Sequence, residues 1–269
     1  MTDRATTLFS MSDGAGEPLV LLNGIAMTAV SWEVVARPLA KHYRVVRCDF
    51  RGQLMTPEQP PENVAEHADD VAALLDQLEI EAAHIVGTSF GGVVGTLVAS
   101  RYPDRVLSLT TIASADGFDE LMADEVARWR AACVESLGSE DRGHLSDILE
   151  PVVYSPAWVE RHRAEREQRG AQIAALPDTW FEGLIGLLDS AHSLRLREEL
   201  DRVRCPTLVI AAELDSFVPM DRARGFAEGI EGASFVSIDG AGHAVVVEQP
   251  QRVVELCLEF LRPVGLFEP

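Results

Sequence analysis

The sequence predicts an α/β fold, in which a mostly parallel sheet is flanked by helices and interrupted by one helical insertion. Short apolar runs rich in Val and Ile alternate with longer amphipathic stretches, and one long internal segment has helical periodicity without a convincing strand. A glycine-rich turn also joins an apolar run directly to a helix. With 269 residues, 47% of them hydrophobic, the chain can bury a large core, which argues against disordered and fibrous classes.

The apolar runs predict six strands, at residues 18–22, 43–48, 84–86, 106–112, 207–212 and 234–238. A weaker strand near residues 6–11 is expected to pair antiparallel at one edge of the sheet. The amphipathic stretches between the strands predict helices at residues 31–41, 63–78, 89–101, 220–228 and 250–261.

The long segment without a strand covers residues 115–204. Its periodicity predicts helices at residues 120–137, 156–174 and 179–197. Because ligands of open α/β sheets bind at the carboxyl ends of the strands, an insertion at this point is expected to cap a site. We therefore divide the chain into a core of residues 1–114 and 205–269 and a helical cap of residues 115–204. A separate helical domain with no part in the site is the alternative.

The charge balance restricts the partners. The chain has 23 Lys and Arg residues against 43 Asp and Glu residues, a formal net charge of −20, which repels nucleic-acid phosphates and anionic lipid surfaces. The single lysine, Lys41, follows Ala40, so the Gly-Lys-Ser/Thr sequence of a P-loop is absent. We expect a small-molecule substrate, with no nucleic acid and no membrane as partner. The sequence is compatible with a monomer and with a homo-oligomer.

The cysteines and the first residues bear on the cellular compartment. The four cysteines are Cys48, Cys133, Cys205 and Cys257. They lack C-x-x-C spacing, which argues against a zinc knuckle or a redox pair and favours reduced, buried thiols. The first residues have no apolar stretch of signal-peptide length, so we expect a cytoplasmic protein. Residues 82–100 are uncharged and of transmembrane length, but their four glycines favour a buried strand, turn and helix.

The most informative stretch is residues 84–92, where the pattern Gly-x-Ser-x-Gly places Ser89 between an apolar run and a helix. So sharp a turn strains the backbone of Ser89, and side chains at Gly87 and Gly91 would collide with neighbouring chain. The turn projects the Ser89 hydroxyl from the top of the sheet and aims the Phe90 N–H at a developing oxyanion. Ser89 is the candidate nucleophile, and a tight turn without chemistry is the alternative.

A serine nucleophile needs a base that works near neutral pH and an acid that orients this base. His243 is the candidate base, because it lies in a glycine-rich loop after the last predicted strand and no other histidine has a comparable loop. Asp215 is the candidate acid, in the loop after residues 207–212, with Asp116 as the alternative after residues 106–112. The chain order Ser89, Asp215, His243 is typical of nucleophile-elbow enzymes.

These residues resemble the α/β-hydrolase superfamily, and the resemblance covers nearly the whole chain. It implies the α/β-hydrolase fold, with an eight-stranded, mostly parallel sheet and an active site under a variable cap. The first oxyanion region of the superfamily, usually His-Gly, corresponds to residues 22–25 here, with Asn23 in place of the histidine. The resemblance therefore implies an oxyanion hole formed by the Ile25 and Phe90 N–H groups. The superfamily motif D-x-R-G-x-G-x-S corresponds to residues 49–56, where we expect Asp49 and Arg51 to form a local charge pair.

The expected activity is that of a serine hydrolase, without cofactor or metal, that cleaves an ester or lactone through an acyl-enzyme. The resemblance extends to enol-lactonases, cofactor-free haloperoxidase-like enzymes and carbon–carbon bond hydrolases with the same triad. A cyclase or ligand receptor with little hydrolytic turnover is the other alternative.

The predicted cap suggests the kind of substrate. It contains Trp129, Trp158 and Trp180, which we expect to line an apolar pocket above Ser89. The net charge of −20 would oppose an anion at the entrance of that pocket. We therefore expect a neutral, medium-sized, partly hydrophobic substrate.

Overall fold

The computed structural model describes residues 7–139, 142–191 and 194–261. In this part of the chain seven strands form one sheet in the order β1-β3-β2-β4-β5-β6-β7. The strands are β1 (Ser10–Asp13), β2 (Pro18–Leu22), β3 (Arg44–Cys48), β4 (Ala83–Thr88), β5 (Val106–Ile112), β6 (Thr207–Ala212) and β7 (Ser234–Ile238). Only β1 is antiparallel to its neighbour, and the other neighbouring strands are parallel. The predicted α/β class with a mostly parallel sheet is therefore confirmed.

The expectation of eight strands is wrong for the described residues. The edge of the sheet beyond β3 carries β1 alone. Only four residues separate Asp13 from Pro18, and Gly14 and Gly16 among them have positive φ, so the chain turns there and leaves no length for a further strand. The edge strand also begins at Ser10, later than predicted, and Thr6 of that prediction lies outside the described residues.

Eleven α-helices are assigned within the described residues. They are α1 (Glu33–Leu39), α2 (Glu66–Gln77), α3 (Phe90–Arg101), α4 (Glu120–Leu137), α5 (His144–Val153), α6 (Pro156–Arg161), α7 (Arg166–Ala174), α8 (Asp178–Ala191), α9 (Met220–Glu228), α10 (Val245–Glu248) and α11 (Pro250–Leu261). Residues 82–100 divide between β4 and α3, as predicted. None of the helices in the described ranges combines the length and the apolar character that a membrane span requires.

Helices cover both faces of the sheet, which explains why its central strands are apolar throughout. In β2, Val20 and Leu22 join the apolar core formed with α2 and α3, whereas Leu19 and Leu21 join the core formed with α1 and α11. All four cysteines are free thiols. Burial raises the pKa of Cys48, Cys133 and Cys257 to about 12, so these three stay protonated at neutral pH.

Helices α4–α8 lie between β5 and β6 and form the helical insertion. Their apolar side chains, among them Phe181 and Leu184 of α8, pack onto Ala115 and Ala211 near the carboxyl ends of β5 and β6. Helix α4 has the predicted bounds, whereas the predicted helix at residues 156–174 is divided into α6 and α7 by a 3-10 turn at Arg163–Glu165. Helix α8 ends at Ala191, and the sequence analysis did not predict α5.

Candidate active site

Ser89 occupies the turn between β4 and α3 in a strained backbone conformation, with φ 51° and ψ −117°. A residue with a side chain pays about 1–3 kcal/mol for such a conformation, which persists only where its surroundings impose it. Here the Ser89 N–H donates to the Ile112 carbonyl (2.8 Å), and the Ser89 carbonyl accepts from the N–H groups of Gly92 (2.9 Å) and Val93 (3.2 Å). These hydrogen bonds fix the turn from both sides.

Two glycines beside Ser89 permit this turn, as the sequence pattern predicts. A Cβ atom on Gly87 would lie 2.2 Å from the Gly91 carbonyl oxygen, and one on Gly91 would lie 2.1 Å from the Leu22 carbonyl oxygen. Both distances are far below van der Waals contact with backbone atoms that have no freedom to move away. Gly91 thus lets the start of α3 approach the end of β2 directly.

His243 and Asp215 complete a hydrogen-bonded chain to Ser89. The His243 Nε2 atom lies 2.9 Å from Ser89 Oγ, and Nδ1 lies 2.8 Å from Asp215 Oδ2. Because a carboxylate oxygen only accepts, Nδ1 carries the proton toward Asp215, and Nε2 accepts from the serine hydroxyl. The other Asp215 oxygen accepts from the N–H groups of Phe217 (2.9 Å) and Val218 (2.8 Å). The imidazole is therefore held in one orientation by a carboxyl group that is itself fixed.

Asp116, the alternative acid, has different partners. Its carboxyl group pairs with Arg197 (2.9 Å) and Arg222 (3.4 Å), and its carbonyl accepts from the Leu196 N–H (3.0 Å). Asp116 thus links the beginning of the insertion to the last part of the insertion and to α9. The structure brings Asp215 to His243, and it does not bring Asp116 there.

The expected oxyanion donors lie next to Ser89. Ile25 and Ser89 line the same cavity, and Phe90 is the first residue of α3. No described residue accepts a hydrogen bond from the N–H of Phe90 or of Ile25. Both groups are therefore able to donate to an incoming oxygen atom.

Asn23 holds the Ile25 loop in place of the histidine that is usual at this position. It is fully buried and donates to Asp49 Oδ1 (3.1 Å) and Gln53 Oε1 (2.8 Å), while its own oxygen accepts from the Trp32 indole N–H (3.0 Å). Gln53 in turn donates to the Gly24 carbonyl (2.9 Å). A buried amide network therefore fixes the loop.

This network shows what the sequence analysis missed. Gln53 stands at a variable position of the D-x-R-G-x-G-x-S pattern, so no sequence signal pointed to it. The expected charge pair between Asp49 and Arg51 is wrong. Arg51 pairs with Asp70 (2.8 Å), and the Asp49 oxygens accept from the backbone of Ala29 (2.5 Å) as well as from Asn23.

A seam of hydrogen bonds joins the His243 loop to the insertion. The Glu248 carboxyl group accepts from the N–H groups of Ser155 (2.7 Å) and Gly242 (3.1 Å). One residue after His243, the Ala244 N–H donates to the Val153 carbonyl (2.7 Å). The junction of α5 and α6 is thus hydrogen-bonded to both sides of His243.

His67 is fully buried, with its ring edge-on to Phe50 and to Phe90, the residue after Ser89. Neither of its ring nitrogens has a hydrogen-bond partner among the described residues. Burial, and after it the nearby charge of Arg51, lowers the pKa of His67 to about 3. The ring is therefore neutral at physiological pH and acts as part of the aromatic core.

A cavity of about 410 Å³ opens at Ser89 and His243 between the sheet and the insertion. Trp129 and Trp180, two of the three tryptophans that the sequence analysis placed at the pocket, line this cavity. Two charged side chains of the insertion, Glu150 and Arg169, also line it and form an ion pair at 2.6 Å. Most of the remaining wall is apolar.

Trp158 is not part of this wall, which corrects the expectation that it lines the pocket. Its ring stacks on Tyr154 and His162, with centroid distances of 3.9 and 4.0 Å, and the Arg169 guanidinium lies 5.0 Å from its centroid. Trp158 is the buried residue of the short helix α6, and it anchors this helix by packing instead of facing the cavity. It supports Tyr154 and Arg169, which do line the cavity, from behind.

No three His, Cys, Asp or Glu side chains of the described residues come together in a way that would hold a metal ion. The chemistry that the site offers is that of a serine hydroxyl with an adjacent base, an orienting carboxyl group and free N–H donors.

The chain resembles known hydrolases over most of its length. A sequence profile described as alpha/beta hydrolase fold matches residues 17–250. RutD of Azorhizobium caulinodans, provisionally named a carbamate hydrolase, is 30% identical over 252 residues, which cover 92% of each chain. The pimeloyl-[acyl-carrier protein] methyl ester esterase of Aeromonas salmonicida is 29% identical over 269 residues, 92% of this chain and 96% of the esterase. The crystal structure of an enol-lactonase from Burkholderia xenovorans has a TM-score of 0.81 and 25% identity, and the match covers 94% of this chain and 96% of the lactonase.

Proposed function

The chain belongs to the α/β-hydrolase family, and from that premise we propose that it is a serine hydrolase that cleaves a neutral, partly hydrophobic carboxylic ester or lactone through an acyl-enzyme. The observation that carries this proposal is the hydrogen-bonded chain from Asp215 through His243 to Ser89, which ends at a largely apolar cavity.

In the first half of the proposed reaction, Ser89 Oγ attacks the carbonyl carbon while His243 Nε2 takes the hydroxyl proton. The Phe90 and Ile25 N–H groups stabilise the negative charge on the carbonyl oxygen, and Asp215 stabilises the imidazolium. The bond from the carbonyl carbon to the leaving oxygen then breaks, and His243 gives this oxygen the proton. A water molecule repeats the sequence on the acyl-enzyme, which releases the acid and restores the serine.

The preference for a neutral substrate is supported by the cavity wall. The charges of Glu150 and Arg169 compensate each other at 2.6 Å, so the described part of the wall offers no unpaired charge to an ionic substrate. The formal net charge of −20 acts in the same direction, because it repels anions from the entrance.

The role of Ser89 is tested by a fluorophosphonate probe together with turnover of a p-nitrophenyl ester. We expect the probe to label the wild-type protein once, at Ser89, and the ester to turn over. The Ser89→Ala variant should show neither reaction while keeping its thermal unfolding transition. Labelling without turnover of any ester or lactone would contradict a hydrolase and favour a cyclase or receptor on the same fold.

The charge preference is tested by kcat/KM for a neutral ester and for the same ester with a distal carboxylate, at low and moderate salt. We expect the neutral ester to be preferred, with a difference that shrinks as salt screens the field. A preference for the carboxylate would show that Arg169 acts as an anion site in spite of Glu150, and Arg169→Gln would then abolish that preference.

A further inference from the structure

Two cavities adjoin Ser89, and they differ tenfold in size. The larger, of about 410 Å³, is lined by His243 as well as by Ser89. The smaller, of about 40 Å³, is lined by Ser89 and Phe90 but not by His243. Ile25 and Trp129 contribute to both walls, so the two cavities meet at the nucleophile.

The position of His243 decides which half of an ester occupies which cavity. The leaving oxygen must accept its proton from His243 Nε2, so the alcohol half lies on the side of the cavity that His243 lines. The carbonyl oxygen is directed at the Phe90 and Ile25 N–H groups. The acyl chain is the remaining substituent of the carbonyl carbon, and the smaller cavity offers it a space that Ser89 and Phe90 line and His243 does not.

We propose that the smaller cavity is the acyl site and that it restricts the enzyme to open-chain esters of short, uncharged acyl groups with a larger neutral alcohol. This inference rests on the proposed function and adds the shape of the substrate to it. A buried water needs about 10–15 Å³ by the same measure, so 40 Å³ has room for about three water-sized groups. That space fits acyl groups of about two to four carbons. An open-chain ester can separate its two halves into the two cavities, whereas the ring of a lactone keeps them together.

The walls of the smaller cavity are apolar and well packed. Met122 and Val126 of α4 stand one helical turn apart, and both are buried. Phe118 and Phe217 line the same cavity and contact each other edge-on at 6.1 Å between ring centroids. A longer chain would have to displace these side chains, and a charged acyl group would lose its hydration there without gaining a partner.

The insertion provides a matched pair of variants. Met122 lines the smaller cavity and not the larger, whereas Leu149 of α5 lines the larger and not the smaller. Truncation to alanine removes an apolar side chain from one wall in each case. Val126→Ala, on the same face of α4, enlarges the smaller cavity independently if Met122→Ala does not fold.

The experiment measures kcat/KM for p-nitrophenyl esters from acetate to octanoate, at constant alcohol, and for acetate esters of alcohols of increasing size. In the wild type we expect kcat/KM to fall by about tenfold or more between butanoate and octanoate, because overpacking is costly, and to tolerate large alcohols. Met122→Ala should shift the acyl optimum to longer chains. Leu149→Ala should leave the acyl profile unchanged and alter the dependence on the alcohol.

Equal or better turnover of octanoate by the wild type would overturn the assignment of the acyl site. So would an acyl profile that Leu149→Ala shifts and the α4 variants do not, since the acyl chain would then lie in the larger cavity. Turnover of a lactone but of no ester in either series would overturn this inference alone. Absence of turnover for every ester in both series and for every lactone would instead overturn the proposed function, and this inference with it. The two failures are therefore distinguishable.

Discussion

The two sides of the site are held in different ways. On the sheet side, backbone hydrogen bonds fix Ser89 and Asp215, and a backbone approach that only glycine permits fixes the turn before α3. On the insertion side, the wall consists of packed side chains such as Trp129, Trp180 and Leu184. Backbone contacts leave no freedom for substitution, whereas packed side chains tolerate changes of similar volume. The sheet side is therefore suited to chemistry, and the insertion side to the choice of substrate.

The largest expected effect is on the sheet side, where Ser89 and His243 are expected to act as one unit. We expect Ser89→Ala and His243→Ala each to lower kcat by about four to six orders of magnitude, with the fold retained. The double variant should be little worse than either single variant, because one missing member already disables the unit. Losses that multiply in the double variant, measured by stopped or continuous ester assays, would show that the two residues act independently.

The next effect separates the two candidate acids. Asp215→Asn should lower kcat by about 10³–10⁴-fold, because the amide no longer stabilises the imidazolium or fixes its tautomer. Asp116→Asn should change kcat by less than about tenfold and should lower the thermal stability instead, since Asp116 pairs with Arg197 and Arg222. The reverse ranking of the two kcat values would place the acid at the end of β5.

The success of the sequence-based predictions also differs between the sheet side and the insertion side. The predicted bounds agree with the structure for β2, β5, β6 and β7, and so does the turn at Ser89. These features depend on local rules, namely apolar runs, turn glycines and the geometry of a strand before a helix. The positions of Ser89, Asp215 and His243, each in a turn or loop after a predicted strand, also indicated three side chains that the structure brings together.

The insertion was predicted less well, because apolar composition and periodicity do not show which way a side chain faces or where each helix begins and ends. The tryptophan content did not reveal that Trp158 turns toward Tyr154 and His162, away from the cavity. Helix α5 was missed although its apolar residues have helical spacing, and Pro151 in its last turn is a residue that usually marks a helix end. Outside the insertion, Gln53 was missed because its partners Asn23 and Gly24 lie about 30 residues away in the sequence.

Breaking the seam of hydrogen bonds between the His243 loop and the insertion should lower kcat less than Asp215→Asn does. Glu248→Ala leaves the N–H groups of Ser155 and Gly242 without their acceptor, so we expect a thermal stability loss of about 1–2 kcal/mol. Because the His243 loop loses the hydrogen bond from the Gly242 N–H to Glu248, kcat should fall by about tenfold with little change in KM. As a control, Leu149→Ala should alter KM more than kcat. If Glu248→Ala lowered stability alone, with kcat unchanged, the seam would have no part in positioning His243.

The smallest effect concerns pH and leaves activity at neutral pH unchanged. The folded state keeps His67 neutral because its pKa is lowered to about 3, whereas the unfolded chain takes up a proton below about pH 6.5. The free energy of unfolding is therefore unaffected by His67 above pH 6.5. As the pH falls from 6.5 toward 3, proton uptake by the unfolded chain lowers this free energy by about 1 kcal/mol per pH unit. Urea unfolding of wild type and His67→Leu between pH 7 and pH 5 measures this. An equal slope for both proteins would show that His67 is protonated in the folded state.

The strained conformation of Ser89 has a consequence for how this chain can change over many generations. Glycine would adopt φ 51° without penalty, so the proposed nucleophile Ser89 is a residue that the fold by itself does not favour. Selection for heat stability alone would thus favour replacement of Ser89, whereas under the proposed function selection for turnover retains it. Directed evolution of a more thermostable variant must therefore measure product formation in every round, because a screen for thermostability alone would enrich inactive variants.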